Sequence, residues 1–101
     1  MSQDHKIEAE AIVVRIIPNA MSDEYDSGAF VAYDATELKL LSPSSLAGRP
    51  LMIYHVARAL PQDHPLRRSG VKIRFSIQES HLSSPTLFDG ALSNVELLPL
   101  T

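Results

Sequence analysis

Apolar residues in this chain come in strand-length runs separated by short polar stretches. Ile7–Ile17, Ala29–Tyr33, Leu51–Arg58, Val71–Ile77 and Leu92–Leu98 are rich in Val, Ile, Leu and aromatic residues. The segments between them hold Pro, Ser, Asp and Gly, the composition of turns and loops. The alternation is cleanest in the fourth run. There Val71, Ile73, Phe75 and Ile77 take one face, and Lys72, Arg74, Ser76 and Gln78 the other. The pattern predicts five β-strands. Leu38–Leu41 either extends the second strand or stands as a sixth. A helix over Ala35–Leu41 is the alternative, but seven residues make a marginal helix.

The first run changes phase midway. Ile7, Ala9 and Ala11 oppose Glu8 and Glu10, whereas Ile12, Val14 and Ile16 oppose Arg15. Period-two alternation cannot switch parity without a bulge or bend, so a bent first strand is predicted, with Ile12, Val14 and Ile16 inward after the switch. Pro18-Asn19 reads as its end. All four glycines (Gly28, Gly48, Gly70, Gly90) stand just before an apolar run. Glycine tolerates positive φ, so each marks a sharp entry into a strand. The residues after each glycine do not otherwise align, so the spacing marks strand-plus-loop units and not a repeat. Of the two longest connections, Leu60–Ser69 carries two prolines and cannot be helical throughout. In Glu79–Asp89, Leu87-Phe88 reads as an anchor on the core.

Length changes this picture little: 101 residues fit one domain, 1–101, with a single modest core. With 45% hydrophobic and 21% charged residues the chain is an ordinary globule. Its net charge of −3 does not suit it as a whole to neutralising phosphates. The absence of cysteine excludes disulfides, thiolate metal sites and cysteine catalysis, and favours a reducing compartment. The polar start, Met1-Ser2-Gln3-Asp4-His5-Lys6, is unlike a signal peptide, and no apolar stretch has the length of a membrane helix. These features point to the cytoplasm.

Five strands, a long bent first strand and long connections resemble the OB-fold type of Greek-key barrel. The resemblance implies an all-β, five- or six-stranded antiparallel small barrel or sandwich. The order Ala-Phe-Val-Ala-Tyr (29–33), then Leu-Ala-Gly-Arg-Pro-Leu-Met-Ile-Tyr (46–54), looks like the netrin-like and metalloproteinase-inhibitor branch of OB domains. There an extended strand is followed by a Leu-x-Gly turn and another apolar strand. Inhibition in that branch runs through an N-terminal cysteine that this chain lacks, so that activity is not carried over. The usual OB helix would fall at Leu60–Ser69, where Pro61 and Pro65 leave room for one turn at most.

Few residues carry candidate chemistry. His5, His55, His64 and His81 fall at no metal-ligand spacing. His55 shares parity with Leu51, Ile53 and Ala57 and reads as a buried, hydrogen-bonded core residue, with a groove-facing ring as the alternative. Asp23-Glu24-Tyr25-Asp26 lacks the order of a calcium loop and reads as a solvated tip. No serine lies in a nucleophile motif, and no Gly-rich phosphate loop exists. No catalytic residue, metal or cofactor is predicted.

One charge feature stands out. Arg67, Arg68, Lys72 and Arg74 gather in eight positions, with Tyr54 as the aromatic companion and Phe75 facing inward. They suit an anionic partner, or a charged face that discourages strand-to-strand association. The two-sided apolar character of Ala29–Tyr33 and Leu51–Val56 adds the expectation of a covered outer face. Together these predict a non-enzymatic binding module with a protein partner, using its loops and the face of Tyr54, Lys72 and Arg74. The alternatives are single-stranded nucleic acid or another anion bound through Arg67–Arg74, and a self-associating structural role. No membrane partner is predicted.

Overall fold

A computed structural model describes residues 5–24, 27–57, 60–84 and 87–99. The chain is all-β. Its strands are β1 (Lys6–Glu24), β2 (Phe30–Ser42), β3 (Pro50–Val56), β4 (Lys72–Gln78), β5 (Leu87–Phe88) and β6 (Leu92–Leu98). They form one six-stranded sheet in the order β5-β3-β2-β1-β4-β6. All pairings are antiparallel except β3 with β5, which makes the sheet mixed. The ladder does not close into a barrel. Its two edge strands are nevertheless consecutive in the chain, joined by the 3-10 turn Asp89–Ala91. The sheet curls around one apolar cluster, in which Val13, Leu38, Ile53, Phe75 and Ile77 are at most 1% exposed.

The first of the two options for Leu38–Leu41 holds, and the sixth strand lies where neither option placed it. Leu38–Leu41 belongs to β2, one continuous strand with no helix over 35–41, and the extra strand comes from Leu87-Phe88. Leu87 is buried as expected of an anchor. Phe88 faces outward and is 43% exposed, because neighbouring strand residues take opposite faces. The third predicted strand ends at Val56, and Arg58 lies outside the described residues. In β4, Ser76 shares the outer face as predicted but is covered there.

Two features of β1 depart from expectation. Ala9, Ala11 and Val13 are buried while Ile12 and Val14 are exposed, so the phase does not change at Ile12. It changes at Val14, which has no partner between the pairs Val13–Leu38 and Arg15–Glu37 and forms a bulge. Only Ile16 of the second inward set packs on the core. The strand also runs through Pro18-Asn19 to Glu24. Between the pairs Ile17–Ala35 and Met21–Tyr33, the residues Pro18 to Ala20 face Asp34 alone. Asn19 takes φ 52°, and its N–H donates to Asp34 Oδ1 at 3.0 Å. A proline has no N–H for a ladder, but inside a bulge none is needed, so the strand bends instead of ending.

The turn glycines behave largely as the pattern predicts. Gly28, Gly48 and Gly70 have φ between 85° and 89°, and the Gly70 N–H locks onto Val13 O at 2.7 Å where β1 leaves β4. Gly90 sits instead in the 3-10 turn between β5 and β6.

Candidate functional site

The sheet presents two unlike outer faces. On β1, β4 and β6, register places Glu10 beside Arg74 and Arg74 beside Glu96. Lys72 Nζ lies 3.3 Å from Glu10 Oε1, and Arg74 Nη2 donates to Glu96 Oε2 at 2.8 Å. That hydrogen bond, with the Glu96 charge behind it, holds the Arg74 guanidinium charged above its ordinary range. This face carries two cross-strand ion pairs, with Ile12 exposed beside Lys72.

The five residues singled out from the sequence do not converge. Arg67 turns back on its own loop and donates to Leu60 O at 2.7 Å, while Arg68 is exposed. Lys72 and Arg74 lie in the two ion pairs. Tyr54 is far from both: register runs Lys72–Ile12–Lys39–Pro50, and Tyr54 is four residues further along β3. That offset is about 14 Å across the sheet and about 13 Å along the strand. The acidic tip is described only as far as Glu24; Tyr25 and Asp26 lie outside the described residues.

What surrounds Tyr54 is aromatic and apolar. Two rows cross the outer face: Ile17–Ala35–Tyr54–Phe88 and, beside it, Met21–Tyr33–Val56. The Phe88 ring packs edge-on to Tyr33 at 5.6 Å between centroids, and against Tyr54 at 6.3 Å. Both are favourable aromatic geometries. Val56 is as exposed as Phe88, and Ala35, in the same row as Tyr54, is fully buried. The expected two-sided apolar character of the second and third strands thus takes form as this patch. Its next row holds the ion pair Arg15–Glu37, at 2.8 Å, and Met52. Asp23 and Asp89 add negative charge at the margins. Beyond Met52 the face opens into a cleft of about 470 Å³, lined by Leu51, Met52 and Leu82 with Glu37, Arg49 and Ser83.

Of these residues the sequence singled out Tyr54 alone. Tyr33 and Phe88 were legible only as aromatic residues in apolar segments, and their meeting depends on the parallel β3–β5 pairing.

Behind the aromatic face, on the core side of the same strands, lies His55. It is 1% exposed and hydrogen-bonded, as its parity predicted. Its Nε2 is 3.1 Å from Thr36 Oγ1, and that hydroxyl donates its proton to Leu66 O. With the hydroxyl proton committed, His55 must donate through Nε2, which leaves Nδ1 an acceptor. No hydrogen-bond donor reaches that Nδ1 among the described residues. Burial pushes the His55 pKa below 6.5, against the smaller opposing pull of Asp34 and Asp89. A hydroxyl beside an imidazole resembles a nucleophile–base pair. Here both groups are sealed in the core.

Among the described residues no group of three or more His, Asp or Glu could hold a metal. No helix there is long and apolar enough to cross a membrane. Compared with protein-family models, curated proteins and solved structures, the chain matches none.

Proposed function

We propose that this chain is a non-enzymatic binding module that docks a protein partner on the outer face of β2, β3 and β5. The observation that carries this reading is the partly exposed cluster of Tyr33, Tyr54 and Phe88 with Val56, continuous with a cleft of mixed polar and apolar lining. Aromatic residues on a rigid sheet are the residue types that dominate binding hot spots. The partner presents apolar side chains at its centre and Lys or Arg at its rim, complementary to Asp23 and Asp89.

The connectivity supports the finer reading of the fold as OB-like. β1, β2 and β3 form a meander, β4 returns to β1, and the consecutive β5 and β6 flank β3 and β4. In that fold the face of the second and third strands is a common binding surface. Lack of cysteine supports a reducing, cytoplasmic setting.

Single-stranded nucleic acid would use the same rings as stacking platforms but needs cations beside them. Lys72 and Arg74 lie elsewhere and are paired, Arg15 in the neighbouring row is held by Glu37, and of the described cations Arg49 alone lines the adjoining cleft. A photo-crosslinking residue at Val56, with one at Glu8 as control, tests the reading. A partner captured at Val56 alone, whose purified form loses about tenfold or more in affinity on Tyr54→Ala and little on Lys72→Ala, supports it. Adducts containing only this chain, with a dimer that dissociates on dilution, would replace it with self-association. Salt-dependent retention on single-stranded DNA, weakened by Arg67→Ala with Arg68→Ala, would replace it with nucleic-acid binding.

A further inference from the structure

The segment Leu60–Gly70 crosses one end of the core with Leu66 inserted, 1% exposed and part of the apolar cluster. Two histidines govern both of that residue's backbone groups. The Leu66 N–H donates to His64 Nδ1 at 3.1 Å, a bond that exists only while that nitrogen is unprotonated. The Leu66 carbonyl accepts from Thr36, whose hydroxyl is oriented by the His55 Nε2–H.

We propose that Leu60–Gly70 is an acid-released latch, closed when His55 and His64 are neutral and freed when either ring takes a proton. Protonating His64 turns the acceptor of the Leu66 amide into a donor, so donor faces donor. Protonating His55 places a charged ring, with a new N–H at Nδ1, where no acceptor is in reach among the described residues. The charged and titratable groups around His55 are Asp34 from β2, Asp89 from the turn after β5, and Arg67 and His64 from the latch itself. The carboxylates ease the proton's arrival. Arg67 opposes it, as does His64 only when it is itself protonated, and outward movement of the latch would carry both away.

The segment is built to move as a unit. Its internal bonds are short-range: His64 N–H to Pro61 O, Arg67 N–H to His64 O, and Arg67 to Leu60 O. Its far end is pinned separately by Gly70 to Val13. Release would open the core end lined by Thr36 and His55 while leaving the ladder intact. This inference stands whether or not the aromatic face binds a partner.

Amide hydrogen exchange read by NMR from pH 8 to pH 5, corrected for intrinsic rates, tests it. The Leu66 protection factor should fall by about tenfold or more toward pH 5, the factor carried by a single lost bond, while Ile73 in β4 keeps its protection. His64→Asn supplies a non-titrating cap oxygen for the same amide and His55→Gln a neutral donor, so the double variant should hold Leu66 protected across the range. Should His55→Gln fold poorly, His64→Asn alone should reduce the pH dependence at Leu66. Thr36→Val should loosen Leu66 at every pH. A Leu66 protection factor flat from pH 8 to 5, or falling in step with that of Ile73, would overturn the latch. So would an unchanged pH dependence in the variants.

Discussion

The outer face of β1, β4 and β6 and the outer face of β2, β3 and β5 belong to one sheet over one core, yet they meet solvent differently. On the first, Glu10–Lys72 and Arg74–Glu96 pair charge across strands. On the second, Tyr33, Tyr54, Val56 and Phe88 stay clustered and partly open to water. Paired charge protects a sheet against unwanted association and adds little stability. An aromatic patch on a rigid wall does the reverse, inviting contact. The difference teaches that the strand cations conspicuous in the sequence, Lys72 and Arg74, are already paired, and the face we propose for binding is the other.

The comparison requires both faces to rest on the same core. Phe75, on the inner side of β4 and 1% exposed, tests this most severely. Phe75→Ala should cost about 3–5 kcal/mol in urea unfolding and collapse both faces together. An effect confined to NMR signals of β4 and β6 would break the comparison by making the two faces separate units.

The next effect is one of pH. Folded His55 binds its proton less readily than unfolded His55, so its contribution is complete above about 6.5 and is lost as pH falls from there toward the lower folded value. The slope is at most about 1.4 kcal/mol per pH unit for this one proton. Melting temperatures between pH 8 and pH 5 should show the decline, and His55→Gln should flatten it. A wild-type melting temperature that rises on acidification would contradict the buried neutral ring.

Smaller again is Phe88→Ser. It removes two ring contacts from a half-exposed position and should cost about 1 kcal/mol, while partner affinity falls about tenfold or more. Equal loss of stability and binding on titration would show that the patch is packing and not a docking surface.

The smallest effect belongs to the charged face. A double-mutant cycle on Glu10→Gln and Lys72→Met should give a coupling of at most about 1 kcal/mol that fades in high salt. A coupling several-fold larger, or insensitive to salt, would move the pairs from protective to structural.

Legibility followed the range of the physics. β4 was readable because Ile73, Phe75 and Ile77 alternate with Lys72 and Arg74 without interruption, and His55 because its parity with Leu51 and Ile53 placed it inside. The site was not readable in the same way. Arg67, Arg68, Lys72 and Arg74 are neighbours in sequence, but Lys72 and Arg74 pair with partners on other strands, Arg67 serves its own loop and Arg68 is exposed. Tyr33, Tyr54 and Phe88 are spread over 56 positions and meet only through register. The Thr36–His55–Leu66 chain likewise joins three distant segments.

By itself, then, the sequence determined the all-β class, most of the strands, the turn glycines and the inward side of β4, because alternation and φ preference act between neighbouring residues. Tertiary structure decided the rest: Val14 as the bulge in place of a switch at Ile12, β1 continuing past Pro18, and the parallel β5. It also left the sheet open and gathered one aromatic face. These depend on register between strands, and a shift of one residue would turn every side chain of a strand to the opposite side.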